Sequence, residues 1–367
     1  MSTPEAQGKV TSLSAHPTSQ RKKSALVGTI LATFTIGVSI VALGMGDYYI
    51  SPLDVLKVLA DWVMRSFAWA VPNDGLESVT PNASTIVLKV RAPRILLALL
   101  VGGGLAVAGA TLQALFANPL VSPDIIGVSS GASFGGVLAI AAGLGSAWVL
   151  GGAMLMGIVA VAIVLSFATL RAGSPILTVV LGGVVTASFF QALVSLVTYL
   201  ADPYTTLPAI TFWLMGSLSN ASWKAVTVAA APILLGFVAI YAVRWRINIL
   251  ALGDEDAASL GVNPQRLRVL LIAIVALIVA ATVAVAGAVG WIGLVIPHLV
   301  RLLAGTDYRQ VIPLSFLAGA GFLIFIDTVA RVAVTGEVPL GVLTAMIGAP
   351  FFAYLLFRNR ARELGHA

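Results

Sequence analysis

Asp327 and Arg331 stand four residues apart at the end of an otherwise apolar run, 310–330. A charge at the centre of a bilayer costs about 2.5–3.5 kcal/mol on insertion scales, so an acid in such a run is a candidate proton relay. The acid-first i,i+4 order is also the favourable one for an ion pair along a helix, and we expect that local bridge rather than the relay. Arg91 and Arg94 precede a second apolar run. A cation near a helix start meets the positive end of the dipole, so these two arginines call for an anion, or else for snorkelling to an interface.

A third group lies in AVAGATLQALFANPLVSPDIIGVSSGA, residues 106–132, where Gln113, the Asn118-Pro119 break and a Ser-Pro-Asp step interrupt a Gly-rich apolar stretch. AVAGA returns at 284–288, and Pro119 and Pro297 follow the two copies at the same distance. Gly/Pro-interrupted spans at matching positions of internal repeats point to a pathway at the repeat interface, and small residues alone also serve helix packing. Three histidines (His16, His298, His366) are scattered, cysteine is absent, and no phosphate-binding G-x-x-x-x-G-K-[ST] occurs. Those absences argue against a metal centre, a thiol nucleophile, a catalytic triad and ATP hydrolysis by the chain itself, and no cofactor is expected. His298 reads as a packing or hydrogen-bonding residue.

The elements that must position these groups follow from composition. Of 367 residues, 59% are hydrophobic and 10% charged, with a mean hydropathy of +1.01. Such a chain belongs in a bilayer, and spans of about 20 apolar residues make it an all-α, polytopic membrane protein. Ten spans are predicted near 25–46, 95–117, 124–143, 147–170, 175–200, 225–243, 269–289, 291–304, 310–330 and 339–357, the eighth too short to cross alone as a straight helix. They form one transmembrane domain, 24–358, between tails at 1–23 and 359–367; the first, rich in Ser, Thr, Gln and Pro, is expected to be disordered. With both termini cytoplasmic, the inner segments collect the larger share of Lys and Arg, including Arg21, Lys22, Lys23, Arg244, Arg246, Arg266 and Arg268, as the positive-inside rule requires. Anionic lipids account for the net charge of +6, and no nucleic acid is needed.

Between the sixth and seventh spans runs RWRINILALGDEDAASLGVNPQRLR, 244–268. Asp254, Glu255 and Asp256 ahead of Ala257, Ala258 and Leu260, with Gly261 as a stop, predict a short helix with a small apolar face. It is either a solvated connector or a protrusion that fits a partner's groove.

These residues resemble, in order, the blocks of the permease subunits of bacterial ABC importers for iron-siderophore, haem and cobalamin uptake. The blocks are RAPR (91–94), GATLQALFANPLVSPDIIGVSSGAS (109–133), FWLMGSL (212–218), LGDEDAASLGV (252–262), GWIGLVIPHLVRLLAGTDYRQVIPLS (290–315), IDTVAR (326–331) and EVPLGVLTAMIGAPFFAYLL (337–356). The resemblance implies the ten-helix fold of type II ABC importers in the bacterial plasma membrane. It also implies a second permease subunit, identical or homologous, two cytoplasmic ATPase subunits and an extracytoplasmic substrate-binding protein. By the same likeness Arg91, Arg94 and Arg331 receive acidic residues of the binding protein. Gly253, Asp254, Glu255, Ala258, Leu260 and Gly261 belong to coupling helices, and Gln113, Asn118, Pro119 and Ser174 to the pathway. At the family's gate, near the start of the fifth helix, this chain departs, with apolar Ile176 and Leu177 after Ser174-Pro175. The SPDIIG segment resembles carriers of ferric siderophores most; haem, cobalamin and oxyanions such as molybdate stay open as cargo.

Overall fold

The structure, a computed structural model, describes residues 17–46, 48–67, 81–168, 175–334 and 336–364. Among them are fourteen α-helices: α1 (Pro17–Gly44), α2 (Pro52–Phe67), α3 (Pro81–Thr85), α4 (Ala92–Leu115), α5 (Val128–Ala141), α6 (Ser146–Ala168), α7 (Pro175–Leu200), α8 (Thr206–Leu214), α9 (Trp223–Leu250), α10 (Asp254–Ser259), α11 (Pro264–Ala286), α12 (Ile292–Ala304), α13 (Tyr308–Val332) and α14 (Leu340–Leu364). Seven helical stretches are long and apolar enough to cross a bilayer, and three shorter apolar helices (Val128–Ala141, Ile292–Ala304, Leu340–Leu355) accompany them. The ten predicted spans each meet one of these, and the chain has the polytopic all-α fold.

Several boundaries differ from the sequence reading. Residues 17–23, expected in a disordered tail, open α1: Pro17 suits a first turn, and Arg21, Lys22 and Lys23 are good helix formers. At the other end α14 runs through Leu364, past the expected boundary at 358. The second span begins not at 95 but at Asn82, because the helix continues straight through its arginines. Ile86–Arg91 is a π-helical turn, in which the Ala92 amide reaches back to the Val87 carbonyl just before Pro93, a residue with no donor of its own. Arg91 and Arg94 therefore stand within a helix rather than at its start, and the dipole argument does not apply to them.

α4 is the axis of the bundle, with 89% of its most apolar window buried. It packs against α9, α11, α12 and α13, and the glycines explain how closely. A Cβ on Gly102 would stand 2.2 Å from the Gly319 carbonyl of α13, one on Gly109 1.8 Å from the Gly293 carbonyl of α12, and, between α5 and α6, one on Gly135 2.0 Å from that of Gly152. With lipid as apolar as the side chains, such backbone-to-backbone approach is a main source of helix association in membranes.

The two AVAGA copies do not take equivalent places. The first lies inside α4, whereas the second ends α11 at Gly287, where φ is +68°. Pro119 accordingly falls in a turn and Pro297 inside α12. Around Gly287 the backbone is tied to two other elements: Ser217 N donates to Ala286 O at 2.9 Å, Leu340 N to Gly216 O at 2.9 Å and Gly341 N to Met215 O at 3.0 Å.

Candidate functional site

Arg91, Arg94 and Arg331 converge at the end of the bundle where α1 and α13 finish, and the anions that meet Arg94 and Arg331 come from inside the protein. Arg94, 7% exposed, donates from Nε to both carboxylate oxygens of Asp327 (3.0 and 3.1 Å) and from Nη2 to Asp327 Oδ1 (2.9 Å). Its outer edge grips Glu337, Nη1 to Oε1 at 2.5 Å and Nη2 to Oε2 at 3.0 Å. Each of its three nitrogens is engaged. Arg331 Nε lies 3.3 Å from Asp327 Oδ2, so the local bridge is present, with Arg94 as the acid's better-placed partner. Asp327, 1% exposed and held between two guanidinium groups, is badly placed to relay protons.

Arg91 and Arg331 have a further role. Arg91 donates to the carbonyls of Leu43 (2.6 Å) and Tyr48, and Arg331 to those of Met45 (3.1 Å) and Ala42 (3.3 Å). The last carbonyls of a helix lack partners within it and carry its negative end. Arg91, at the end of the π-helical turn that leads into α4, and Arg331 of α13 thus cap α1. Gly46, at φ +148°, passes over them so closely that a Cβ there would stand 2.9 Å from Arg91 Nη2.

At the opposite end, where α9 finishes and α13 starts, the segment 252–262 forms one short helix, α10, rather than several. Both flanking glycines have positive φ, +121° at Gly253 and +78° at Gly261, which glycine adopts at little cost. Ala257 is buried, while Glu255, Ala258, Leu252 and Leu260 face outward, the last 59% exposed. Arg268, on the second turn of α11, grips both oxygens of Asp254. That hydrogen bonding holds the Asp254 carboxyl below the usual carboxylate range. The segment is therefore a fixed protrusion with an uncovered apolar tip.

Beside it opens a cavity of about 580 Å³ lined by Gln113, Asn118, Pro119, Asn248, Leu252 and Arg301 among others. Three of the four residues expected along a pathway meet there; Ser174, the fourth, lies outside the described residues. The Gln113 amide is buried, and Nε2 donates to the carbonyls of Val121 (3.1 Å), Gly293 (3.3 Å) and Leu294 (3.2 Å). It fastens α4 to the start of α12 at the edge of that cavity. Asn118 Oδ1 accepts from Leu120 N at 2.9 Å and shapes the turn. His298 presents its ring edge-on to Phe352, centroids 6.4 Å apart, and neither ring nitrogen has a hydrogen-bond partner. Among the described residues no group of His, Asp and Glu could hold a metal ion.

Glu337 and Arg268 were not singled out from the sequence. Glu337 pairs with Arg94, 243 positions away, and Arg268 with Asp254, 14 positions away across the turn between α10 and α11; neither separation is a helical spacing, and the available hint was that a buried arginine must find an acid somewhere.

Comparison with known proteins gives a match to the family model of the FecCD transport family over residues 28–358. The chain is 38% identical over 330 residues (90% of this chain, 94% of the relative) to the molybdate import system permease protein of Haemophilus influenzae. It is 42% identical over 279 residues (76% and 84%) to a probable iron chelatin transport system permease protein of Helicobacter pylori. Its fold is similar to that of a metal-chelate type ABC transporter solved in an inward-facing conformation, with a TM-score of 0.80, 36% identity and coverage of 91% of this chain and 99% of that one.

Proposed function

The chain belongs to the FecCD transport family as an ABC importer permease, and from that premise we propose that it moves an iron chelate, a ferric siderophore first and haem next, across the bacterial plasma membrane. The observation that carries the cargo is the 42% identity to an iron chelatin permease, in line with the metal-chelate type of the similar structure. A chelate crosses with its metal already ligated, and so asks no metal ligands of the passage. The second reading is molybdate, favoured by the relative whose length is 94% covered.

In this reading both termini are cytoplasmic, α10 faces the cytosol and the arginine end faces outward. Two ATPase subunits receive Gly253–Gly261 in their clefts. A second permease, identical or homologous, covers the uncovered apolar faces of α7 (Leu181, Val185, Phe189) and α14 (Met346, Tyr354). A substrate-binding protein docks over Arg91, Arg94 and Arg331, and its acids reach Arg94 by displacing Glu337. ATP and the loaded binding protein prefer different states of the complex, and that difference drives alternating access. The permease makes and breaks no covalent bond.

The test is uptake into liposomes holding the chain with its ATPase and binding protein, using labelled ferric siderophore, haem, cobalamin and molybdate with and without ATP. ATP-dependent uptake of the ferric siderophore or haem is expected. Uptake of molybdate alone would replace the cargo, and uptake by the isolated chain under a proton gradient would overturn the reading.

A further inference from the structure

α2 was not among the predicted spans, and it is apolar on two sides. Ser51 and Asp54 cap it reciprocally, Asp54 N donating to Ser51 Oγ (3.2 Å) and Ser51 Oγ to Asp54 Oδ2 (2.7 Å). At 3.6 residues per turn, Val55 and Val58 share one side with Leu59, and these pack on the bundle core. Leu53, Leu56, Val63 and Met64 form a second side, 62%, 55%, 44% and 43% exposed. Asp54, Lys57 and Asp61 line the remaining strip, where Lys57 and Asp54 pair at 3.7 Å. The two apolar sides adjoin through Leu59 and Val63, and the polar strip lies opposite that junction. Such a three-sided helix fits a corner, with protein on one side, an apolar medium on the next and water facing the strip.

The neighbouring chain says what the medium is. α1, a spanning helix, ends at Gly44, and Ile50 N donates back to Gly44 O at 3.0 Å, so α2 starts at the depth where α1 leaves the hydrocarbon. Tyr48 and Tyr49 at this junction and Trp62 on α2 are each at least half exposed, and such amphipathic rings favour a membrane interface.

We propose that α2 is an interfacial helix, lying along the membrane surface at the arginine end with Leu53, Leu56, Val63 and Met64 seated at the boundary of headgroups and acyl chains and the Asp54–Lys57–Asp61 strip in water. By sequence the helix carries two acids, Asp54 and Asp61, and two bases, Lys57 and Arg65, with no net charge, so the attachment rests on buried apolar area and not on attraction to anionic lipid. At about 1.5 Å per residue, it holds a surface collar about 24 Å long against the lipid.

The chain contains no cysteine, so single labels are simple to place. Leu56→Cys, Met64→Cys and Lys57→Cys variants of the full chain would carry nitroxides in nanodiscs of phosphatidylcholine, with or without phosphatidylglycerol. Spin-label collision rates with oxygen and with a water-soluble nickel chelate are then compared. The oxygen-to-nickel ratio is expected to be several-fold higher at positions 56 and 64 than at 57, in both lipid mixtures and at high salt. Equal nickel access at all three positions would put the second side in water, and shielding of 56 and 64 from both reagents would put a protein there; either result overturns the proposal. A ratio that rises only with phosphatidylglycerol would overturn the apolar basis of the attachment.

Discussion

Arg94 carries its charge deep into an apolar bundle and is tolerable there only because Asp327 and Glu337 meet it. Removing one member of a buried ion pair typically costs 3–5 kcal/mol, because the charge left behind is uncompensated. Arg94→Ala should therefore lower the unfolding midpoint in detergent steeply, by about that much in stability. Glu337→Gln, whose side chain is 30% exposed, should cost about 1 kcal/mol or less. Circular dichroism on both variants checks the contrast; equal losses would mean that the Glu337 bond alone carries what Arg94 contributes. If docking requires Arg94, Glu337→Gln should also tighten capture of an acidic partner, most visibly at low salt where exposed charges are least screened. At this scale the sequence was half legible. Four-residue spacing revealed the Asp327–Arg331 bridge, because helix geometry is local. The arginine that dominates Asp327 lies on another helix, and only the folded bundle brings the two together.

The spanning helices were legible because hydrocarbon demands long apolar runs, and each predicted run meets a helix. Their ends were less so: the span from Asn82 was placed too late because its arginines looked like a boundary, when partners folded in from α1 and α13 let the helix pass through. α2 was missed because only part of its apolar surface faces the core, so its pattern belongs neither to a span nor to a simple amphipathic helix. The glycine contacts make a sharp prediction at this scale. Gly109→Ala would drive a methyl group into the Gly293 carbonyl, separate α4 from α12 and cost about 1–3 kcal/mol or more; thermal unfolding of the purified chain measures it. Gly102, in the glycine string at 102–104, likewise packs against Gly319. α10 supplies a pH prediction. The folded Asp254 carboxyl titrates below its unfolded value of about 3.9, so the Arg268 bridge contributes fully above that value and is lost as the pH falls through the lower folded one. Comparing wild type with Asp254→Asn across pH, the stability gap should be widest near neutrality and close only in strong acid.

Over the whole molecule, two polar ends face away from each other across an apolar body, and the proposed function gives them different tasks. Leu260 makes the distinction testable. Being exposed, it contributes little to the fold, so Leu260→Asp should leave the unfolding midpoint unchanged while abolishing stimulation of the ATPase. Normal stimulation in that variant would remove α10 from the coupling surface. One connection between the ends follows from the bridge at Asp254. With α10 pinned to the second turn of α11, a push on the acidic helix cannot be absorbed in the loop between them. It passes into a rod of 23 residues, about 34 Å long at 1.5 Å per residue. The far end of that rod is Gly287, where backbone bonds fasten Ala286 to Ser217 and, through Gly216, to the first residue of α14. A displacement delivered at one face thus arrives at a swivel on the other side of the bundle, already engaged with two further elements.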